Sequence, residues 1–317
     1  MNGPLAIRHS RLLGLGECRA SRLVTNDDLA RTLDTSDGWI RQRTGIAARR
    51  VATADESVVT MATEAGRKAL ADAGVDPAAV GLVVLATCSL GAPLPGGAAR
   101  VAYAVGAAKA GAFDLNAACA GFCYAVGAAS DAVRAGSADY VLVVAAERMS
   151  DLVDWSDRST AILFADGAGA AVIGPATAAG IGPLVSGSDG GAADLIGTDP
   201  AGHLRMDGPA VFRWATTSLA DVATAICAAA GIAPSELAAV VPHQANQRIV
   251  DSLARQLGAT DAVVADDITT AGNTSSASIP LALARLHREG RVGSGDLALI
   301  LGFGAGLTWA GTVIAVP

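Results

Sequence analysis

"ADAGVDPAAVGLVV", at residues 71–84, is repeated in outline by "AAAGIAPSELAAVV" at residues 228–241. The internal glycine, the proline and the last two valines match, and each matching pair lies 157 residues apart. A second pair, "RAGSADYVLVV" at 134–144 and "RVGSGDLALIL" at 291–301, has the same offset. Each segment has the pattern of a helix end, a glycine stop, a short loop and a buried strand. The sequence therefore predicts two similar α/β halves.

We place the boundary between the two halves near residue 175, so that they span 1–175 and 176–317. Strands this apolar must be covered on both faces, and we expect helices to sandwich two sheets around a shared middle helix layer. The first half carries additional material at 147–166. The Gly- and Asp-rich stretch 184–205 predicts a surface loop between the halves.

Composition excludes several classes of protein. The net charge is −7 and no basic run exists, which argues against a nucleic-acid-binding surface. The five cysteines are scattered and odd in number, which indicates reduced thiols and a cytoplasmic location, and no signal peptide is recognised. The uncharged stretch 298–316 could be a membrane span or a buried hairpin of two strands; its glycines favour the hairpin, so no membrane partner is expected.

Cys119 lies in "DLNAACAGFCYAV" (114–126), and the constant offset carries it onto Ser276. Both positions follow a predicted strand and precede a predicted helix, and sites in α/β sheets lie at such strand ends. A thiol at a helix N-terminus is expected to have a lowered pKa and to act as a nucleophile. The alternative is a small buried apolar residue, as we expect for Cys123. The spacing of the two cysteines does not suit a metal site.

Two polar residues of the second half are expected at the same edge. His243 follows the buried strand of "AAVVPHQANQRIV" (238–250), and Asn273 lies in "TAGNTSS". Either could have a local role, such as a helix cap for His243. Together with Cys119, at equivalent strand ends of a duplicated fold, they form a more specific signal.

These motifs resemble a known family. "DLNAACAGF", "PHQANQRI", "GNTSSASIP" and "GFGAGLTWAG", in this order, resemble β-ketoacyl-acyl-carrier-protein synthase III of the thiolase-like superfamily, as do "DTSDGWIRQRTGI" and "DRSTAILFADGAGA". The resemblance implies a thiolase-like fold, an α-β-α-β-α sandwich. It also implies an acyltransferase that primes fatty-acid or polyketide synthesis by decarboxylative condensation of an acyl-CoA with malonyl-acyl-carrier protein. Both are substrates, and neither a cofactor nor a metal is implied.

The resemblance also implies roles for the central residues. Cys119 would carry the acyl group as a thioester, while neutral His243 and Asn273 donate hydrogen bonds to the malonyl enolate. A separate oxyanion hole would be formed by the Cys119 N–H and the glycine-rich turn. There we choose Ala305, with Gly306 as the neighbouring candidate.

Substrate and partner contacts follow from the same resemblance. Trp39 and Arg158 would sandwich the CoA adenine, the alternative being that Trp39 packs in a local core. The other predicted CoA and pantetheine contacts are Thr35, Arg43, Met206, Gly208, Phe212 and Asn246. Leu94 would reach into the acyl pocket of a partner subunit, which implies a homodimer, and Phe303 would line that pocket. Arg248 would dock the acidic carrier protein.

Three rival functions remain open to test. A family member could transfer an acyl group to a hydroxyl or amine without condensation, although Asn273 argues against this. A degenerate partner subunit would lack a competent nucleophile. A degradative thiolase would need a second cysteine near the C-terminal glycine-rich turn, and no cysteine follows Cys227.

Overall fold

The computed structural model describes residues 8–92 and 94–317. Its strands are β1 (His9–Arg19), β2 (Arg22–Thr25), β3 (Ala48–Val51), β4 (Val80–Ala86), β5 (Gly111–Leu115), β6 (Tyr140–Arg148), β7 (Asp166–Ala176), β8 (Val185–Ser188), β9 (Ile196–Thr198), β10 (Leu204–Met206), β11 (Ala239–Pro242), β12 (Val263–Val264), β13 (Leu297–Gly304) and β14 (Thr308–Ala315). Its α-helices are α1 (Asn26–Ala30), α2 (Asp37–Thr44), α3 (Val58–Ala73), α4 (Gly97–Val105), α5 (Gly121–Ala135), α6 (Arg158–Ala161), α7 (Gly208–Ala230), α8 (Gln247–Leu257), α9 (Ile268–Ala271) and α10 (Ser278–Arg288).

The two large sheets have the same topology. The first runs β1-β7-β6-β4-β5 and the second β8-β14-β13-β11-β12, so each strand has a counterpart in the other sheet. In each sheet the last three strands of that order are parallel and the remaining two pairings are antiparallel. The predicted duplication is therefore present in the strand order and direction.

The layers match the predicted α-β-α-β-α arrangement. Helices α5 and α10 pack between the two sheets in one apolar core, with Phe122 and Ile279 among its buried side chains. Helices α3 and α4 cover the outer face of the first sheet, and α7 and α8 cover that of the second. On β6, Val143 faces the middle layer and Leu142 the outer one. Because both faces are covered, the strands read as continuous apolar runs.

The 157-residue offset extends to individual backbone conformations. Helices α3 and α7 end at Gly74 and Gly231, whose φ angles are 63° and 73°. Among the described residues, two that are not glycine also have positive φ, Ala118 at 45° and Ser275 at 49°. A side chain in this region costs about 1–2 kcal/mol. Both halves therefore keep the same strained turn immediately before α5 and α10.

The apolar stretch 298–316 forms the antiparallel pair β13–β14, as the hairpin interpretation predicted. None of the helices in residues 8–92 and 94–317 has the length and apolar character that crossing a membrane requires.

The stretch 184–205 lies largely at the surface as predicted, but the prediction that it is a loop was wrong, because it contains three short strands. Strand β8 in this stretch pairs with β14 and forms the edge of the second sheet, and β9 pairs with β10 as a small separate ribbon. Leu204 is buried. Glycine and aspartate concealed these short strands, because pairing with β14 depends on a segment more than a hundred residues away in the chain.

A fourth apolar cluster forms beside the sandwich. It joins β2, β3, α1 and α2 to the additional material at 147–166, with Ile40, Phe164 and Ile268 in its interior. The insertion predicted from the first half therefore has its own small core. This cluster forms one wall of the cavity described next.

Candidate active site

A cavity of about 710 Å³ opens where strand ends of the two halves meet. Cys119 reaches it from the turn after β5, His243 from the end of β11 and Asn273 from the turn after α9. Ala305, in the turn between β13 and β14, lies in the same wall. The fold thus brings Cys119 together with residues that lie more than 100 positions later in the sequence. This arrangement could hold a thioester against a nucleophile and several hydrogen-bond donors.

The turn after β13 lies directly against Cys119. A Cβ atom added at Gly304 would stand 2.9 Å from Cys119 Cβ and 3.2 Å from its Sγ. Only glycine allows this close approach of the turn that carries Ala305. Gly306, which we also predicted for the oxyanion hole, is not among the residues lining the cavity, and its φ of 138° turns it toward Thr308.

The predicted lowering of the Cys119 pKa was wrong. Burial raises the pKa of the thiol to about 12, and the nearby Glu147 adds to the increase, while a hydrogen bond with Ser275 opposes it. Cys119 lies in the 3-10 turn Ala118–Ala120, immediately before α5, and the desolvation of its sulfur is the largest effect on its pKa. The thiol is therefore protonated at neutral pH and must lose its proton during reaction.

His243 is a neutral imidazole. Its Nδ1 lies 2.7 Å from Ser278 Oγ. The centres of the His243 and Phe303 rings are 5.2 Å apart, and the two rings pack edge to face. Burial lowers the pKa of His243 to about 3. Since Nδ1 is engaged by Ser278, Nε2 is the ring nitrogen available to a ligand.

Asn273 is held in one orientation by its own segment. The Ser275 N–H donates to Asn273 Oδ1 at 2.9 Å, and the Asn273 backbone is tied to the strand-like stretch before β7 through Leu163 O and the Ala165 N–H. The side chain is 5% exposed. With Oδ1 engaged, the amide Nδ2 is the donor left for a ligand in the cavity.

Sequence reasoning missed a buried carboxylate behind the cavity. Glu147, at the end of β6, has no exposed surface and accepts hydrogen bonds from five residues. The donors are Thr87, the Cys88 N–H, Ser89, Ser275 and Ser276. Burial raises the pKa of Glu147, whereas these hydrogen bonds act in the opposite direction. The signal was a charged residue closing the apolar run "YVLVVAAER".

The outer mouth holds the predicted CoA-binding residues in a closed arrangement. The guanidinium carbons of Arg43 and Arg158 lie 4.4 and 4.6 Å from the Trp39 ring centre. A base between Trp39 and Arg158 needs about 7 Å, two van der Waals contacts, so the predicted sandwich requires Arg158 to move. Arg158 donates to Asp34 O at 2.6 Å. Trp39 and Arg43 line the cavity, whereas Thr35 and Arg158 lie outside its lining.

The remaining predicted residues fall into two groups. Those that line the cavity are Met206, Gly208, Phe212, Asn246, Arg248 and Phe303. Asn246 is the N-cap of α8, accepts from the Arg248 N–H and donates to Arg43 O, so both ends of its amide are engaged. Leu94 is 85% exposed and is not among the residues that line this cavity.

Within the described ranges, no group of three His, Cys, Asp or Glu residues could hold a metal ion.

Two family models match the chain. Residues 113–190 match the model described as 3-oxoacyl-[acyl-carrier-protein] synthase III, and residues 227–316 match the model of the C-terminal region of the same family. These ranges contain Cys119 in the first case and His243, Asn273 and Ala305 in the second.

The chain is also similar to proteins over nearly its full length. It is 49% identical to β-ketoacyl-[acyl-carrier-protein] synthase III 4 of Streptomyces coelicolor, over 97% of this chain and 99% of the relative. It is 47% identical to the mycobacterial β-ketoacyl-[acyl-carrier-protein] synthase III of Mycobacterium avium, over 96% of this chain and 95% of that relative.

Solved structures give the same result. The priming β-ketosynthase of a polyketide biosynthetic pathway superimposes with a TM-score of 0.96 at 45% identity, over 100% of this chain and 98% of the other. The 3-oxoacyl-[acyl-carrier-protein] synthase III of Aquifex aeolicus superimposes with a TM-score of 0.93 at 39% identity, over 96% and 99%.

Proposed function

The chain belongs to the β-ketoacyl-acyl-carrier-protein synthase III family, and on that premise we propose how its residues perform the priming condensation. It is an acyl-transferring condensing enzyme of fatty-acid or polyketide synthesis. In our proposal the first substrate is an acyl-CoA, which acylates Cys119. The second is malonyl-acyl-carrier protein, which loses carbon dioxide and attacks the Cys119 thioester.

One observation carries this assignment of roles. The sulfur of Cys119, the amide of Asn273 and the imidazole of His243 line one cavity. Ser278 engages His243 Nδ1 and the Ser275 N–H donates to Asn273 Oδ1, which leaves His243 Nε2 and Asn273 Nδ2 for the substrate. Two fixed donors in a desolvated site suit a developing anion better than water does, because they need no reorganisation.

Acylation of Cys119 produces a tetrahedral intermediate with a negative oxygen. We assign its stabilisation to the backbone N–H groups of Cys119 and Ala305, because Gly304 brings the second strand end against the first. The reaction expels the thiol of CoA and leaves the acyl group on the sulfur. Thioester exchange of this kind involves no change of oxidation state, so our proposal includes no cofactor.

Decarboxylation of the malonyl group places negative charge on its thioester oxygen. Neutral His243 donates from Nε2 when the Ser278 hydroxyl donates to Nδ1, and Asn273 donates from Nδ2. Neither group has to accept a proton. The enolate carbon then attacks the acyl carbon on Cys119, a carbon–carbon bond forms, and the Cys119 sulfur leaves as the thiolate and is reprotonated.

The mouth of the cavity supplies the positive charge that an acidic protein of net charge −7 otherwise lacks. Arg43, Arg213 and Arg248 line it and are exposed. They suit the phosphates of CoA and the acidic surface of a carrier protein. Entry of CoA requires Arg158 to leave the face of Trp39, where the adenine would then stack.

We further propose a homodimer, a division into halves at residues 175 and 176, and a cytoplasmic location. Strand β5 is an open edge of the first sheet and carries the exposed Phe113, with the exposed Tyr103 and Leu94 on neighbouring segments. Open apolar edges favour pairing with another chain.

The proposed cytoplasmic location has a separate basis. The five cysteines are free, which suits a reducing compartment.

Mass spectrometry of the intact protein with a panel of acyl-CoAs tests the acylation step. We expect one acyl group per chain, located on Cys119, and none on a Cys119→Ala variant. Addition of malonyl-acyl-carrier protein should release carbon dioxide and discharge the acyl group. Discharge to a hydroxyl or amine without carbon dioxide would instead identify the non-condensing acyltransferase. Absence of acylation with every acyl-CoA would contradict our proposal.

A further inference from the structure

The Cys119 thiol is not isolated from bases, because a hydrogen-bonded path leads away from the cavity behind it. Cys119 Sγ lies 3.4 Å from Ser275 Oγ, and the Cys119 thiol is the donor. Ser275 Oγ in turn lies 3.2 Å from Glu147 Oε1 and donates to it. Since a hydroxyl has one proton, Ser275 can accept from sulfur and donate to the carboxylate at the same time.

The surroundings of Glu147 keep it ionised and therefore able to accept a proton. All of its partners are donors: the hydroxyls of Thr87, Ser89, Ser275 and Ser276, and the backbone N–H and thiol of Cys88. A protonated carboxyl would leave one of these donors without its acceptor. Burial raises the pKa of Glu147, which makes it a stronger base than an exposed glutamate.

No cation from residues 8–92 or 94–317 is among the groups that shift the pKa of this carboxylate. Two thiols are the titratable groups that face Glu147. Cys88 Sγ, on the segment after β4, lies 3.5 Å from Glu147 Oε1, and the Cys119 thiol is connected to Glu147 through Ser275. The turn before α10 presents serines, and β7 presents Gly167 opposite Glu147. The side chain of the adjacent Arg148 is directed to Asp151. The charge of this buried carboxylate is therefore stabilised by hydrogen bonds and not by a counter-ion, and it can still take up a proton.

We propose that Glu147 is the proton acceptor for Cys119 during acylation, acting through the Ser275 hydroxyl. As the Cys119 sulfur attacks the acyl-CoA carbonyl, its proton passes to Ser275 Oγ and the Ser275 proton passes to Glu147 Oε1. The new sulfur–carbon bond forms and the carbon–sulfur bond to CoA breaks. The proton then returns through Ser275 to the CoA sulfur, so that thiol and thioester exchange and Glu147 is ionised again.

This assignment rests on the proposed role of Cys119 as the nucleophile, and it makes Glu147 a positioning and proton-holding residue that need not touch the substrate. It also accounts for a protonated thiol at the centre of the cavity. The buried imidazole of His243 is a weak base, since its pKa is about 3. Proton removal by Glu147 leaves His243 free to serve as a neutral donor in condensation.

The test is the pH profile of Cys119 alkylation by iodoacetamide, which needs neither acyl-CoA nor malonyl substrate. Modification at Cys119 is followed by peptide mass spectrometry in the wild type and in Ser275→Ala, Glu147→Gln and Ser276→Ala. Between pH 7 and 8.5 we expect the wild-type rate to change by less than about threefold, because an internal base removes the proton.

The variants that break the path should behave as simple thiols. For Ser275→Ala and Glu147→Gln we expect a rate at least about tenfold lower at pH 7 and a rise of about tenfold per pH unit, which follows the thiolate fraction. Ser276→Ala is the matched control: it removes a neighbouring 2.6 Å hydrogen bond to Glu147 but leaves the path intact. It should keep the level profile.

Two results would overturn the relay. One is a Ser275→Ala profile that stays level and within about threefold of wild type. The other is a Ser276→Ala profile as steep as that of Ser275→Ala, which would reflect general loosening of the buried cluster. If Cys119 resists alkylation in every protein while Cys88 reacts, both the relay and the proposed nucleophile are wrong. The Ser275 and Ser276 comparison remains decisive even if Glu147→Gln fails to fold.

Discussion

At the scale of single residues, the segment 273–278 sets the chemistry of the site. Ser275 holds the Asn273 carboxamide with its N–H and contacts Cys119 with its hydroxyl. Ser278 engages Nδ1 of His243. Each reactive group therefore has its orientation decided by a serine from the same turn. Asn273, Ser275 and Ser278 of this segment therefore act as one unit, although only the asparagine was singled out from sequence.

The decarboxylation step should be separable from acylation at Asn273. Asn273→Ala removes one fixed donor to the enolate, and loss of such a donor typically costs a factor on the order of 100 to 1000 in rate. We expect carbon dioxide release from malonyl-acyl-carrier protein to fall by this amount while acyl loading of Cys119 changes by less than about threefold. Rapid-quench kinetics of each half-reaction would measure both. Equal loss in both steps would contradict the assigned role.

The ionisation of His243 gives a pH prediction. Its pKa is about 3 in the folded protein, below the ordinary 6.5, because burial disfavours the charged ring. We expect the His243 ring signals in NMR spectra, identified by their loss in His243→Gln, to stay constant from pH 5 to 8. A shift with a midpoint near pH 6.5 would show that the ring becomes charged.

The lowered pKa of His243 also determines how the free energy of unfolding depends on pH. Below about pH 6.5 the unfolded histidine binds a proton that the folded one refuses down to about pH 3, so protonation favours unfolding. The His243 contribution to the free energy of unfolding should therefore decrease as pH falls through this window, by up to about 1.4 kcal/mol per pH unit. Urea unfolding of the wild type and His243→Gln at several pH values would measure the difference.

At the scale of elements, the site is built from two equivalent turns, one after β5 and one after α9, although sequence predicted a strand before each. The turns before α5 and α10 share a strained residue at the same repeat position, Ala118 and Ser275. One turn presents Cys119 and the other presents its hydroxyl partner. The hairpin β13–β14 closes the site from the second sheet, where Gly304 contacts the cysteine. The same backbone conformation therefore occurs in both halves, but one turn presents the thiol of Cys119 and the other the hydroxyl of Ser275.

The contact of that hairpin with Cys119 can be tested by adding one methyl group. In Gly304→Ala the new Cβ would stand 2.9 Å from Cys119 Cβ and 3.1 Å from its N, so the cysteine or the hairpin must shift. We expect acylation of Cys119 to fall by at least about 100-fold, since misplacement by about 1 Å can cost that much. Gly190→Ala, where nothing lies within 4 Å, is the control and should retain normal acylation.

At the scale of the whole molecule, neither half contains the site alone. The first half supplies Cys119 and Glu147, and the second supplies Ser275, His243 and Asn273. Helices α5 and α10 share one core between the sheets, and the two turns that precede them contact each other, which brings these groups together. The outer cluster around Phe164 then adds a wall on one side. Catalytic geometry therefore depends on the interface between the two repeats.

The open edge at β5 leads to a prediction about assembly. Phe113 is 44% exposed on this edge strand, and Phe113→Glu would place a charge in the interface that we propose. We expect the wild type to sediment at twice 31.4 kDa and the variant to shift toward 31.4 kDa. Leu23→Glu, an equally exposed apolar position on β2, is the control and should leave the mass unchanged. A dimeric Phe113→Glu variant would place the interface elsewhere.

The sequence by itself determined the duplicated architecture, the terminal hairpin and the shared edge of Cys119, His243 and Asn273. These features are encoded locally, by glycine stops, apolar runs and the constant spacing between the halves. Local signals of this kind depend on neighbours within a few residues. They can therefore be recognised in the sequence before it is known which segments meet in the fold.

Only the tertiary structure decided the ionisation of Cys119, the path to Glu147, the pairing of β8 with β14 and the closed stacking at Trp39. Ser275 and Glu147 are 128 residues apart, and neither position reveals the other in the sequence. Burial sets the pKa of a thiol through everything that surrounds it. Such properties belong to the assembled environment, because desolvation and long-range contacts arise only when the two halves pack together.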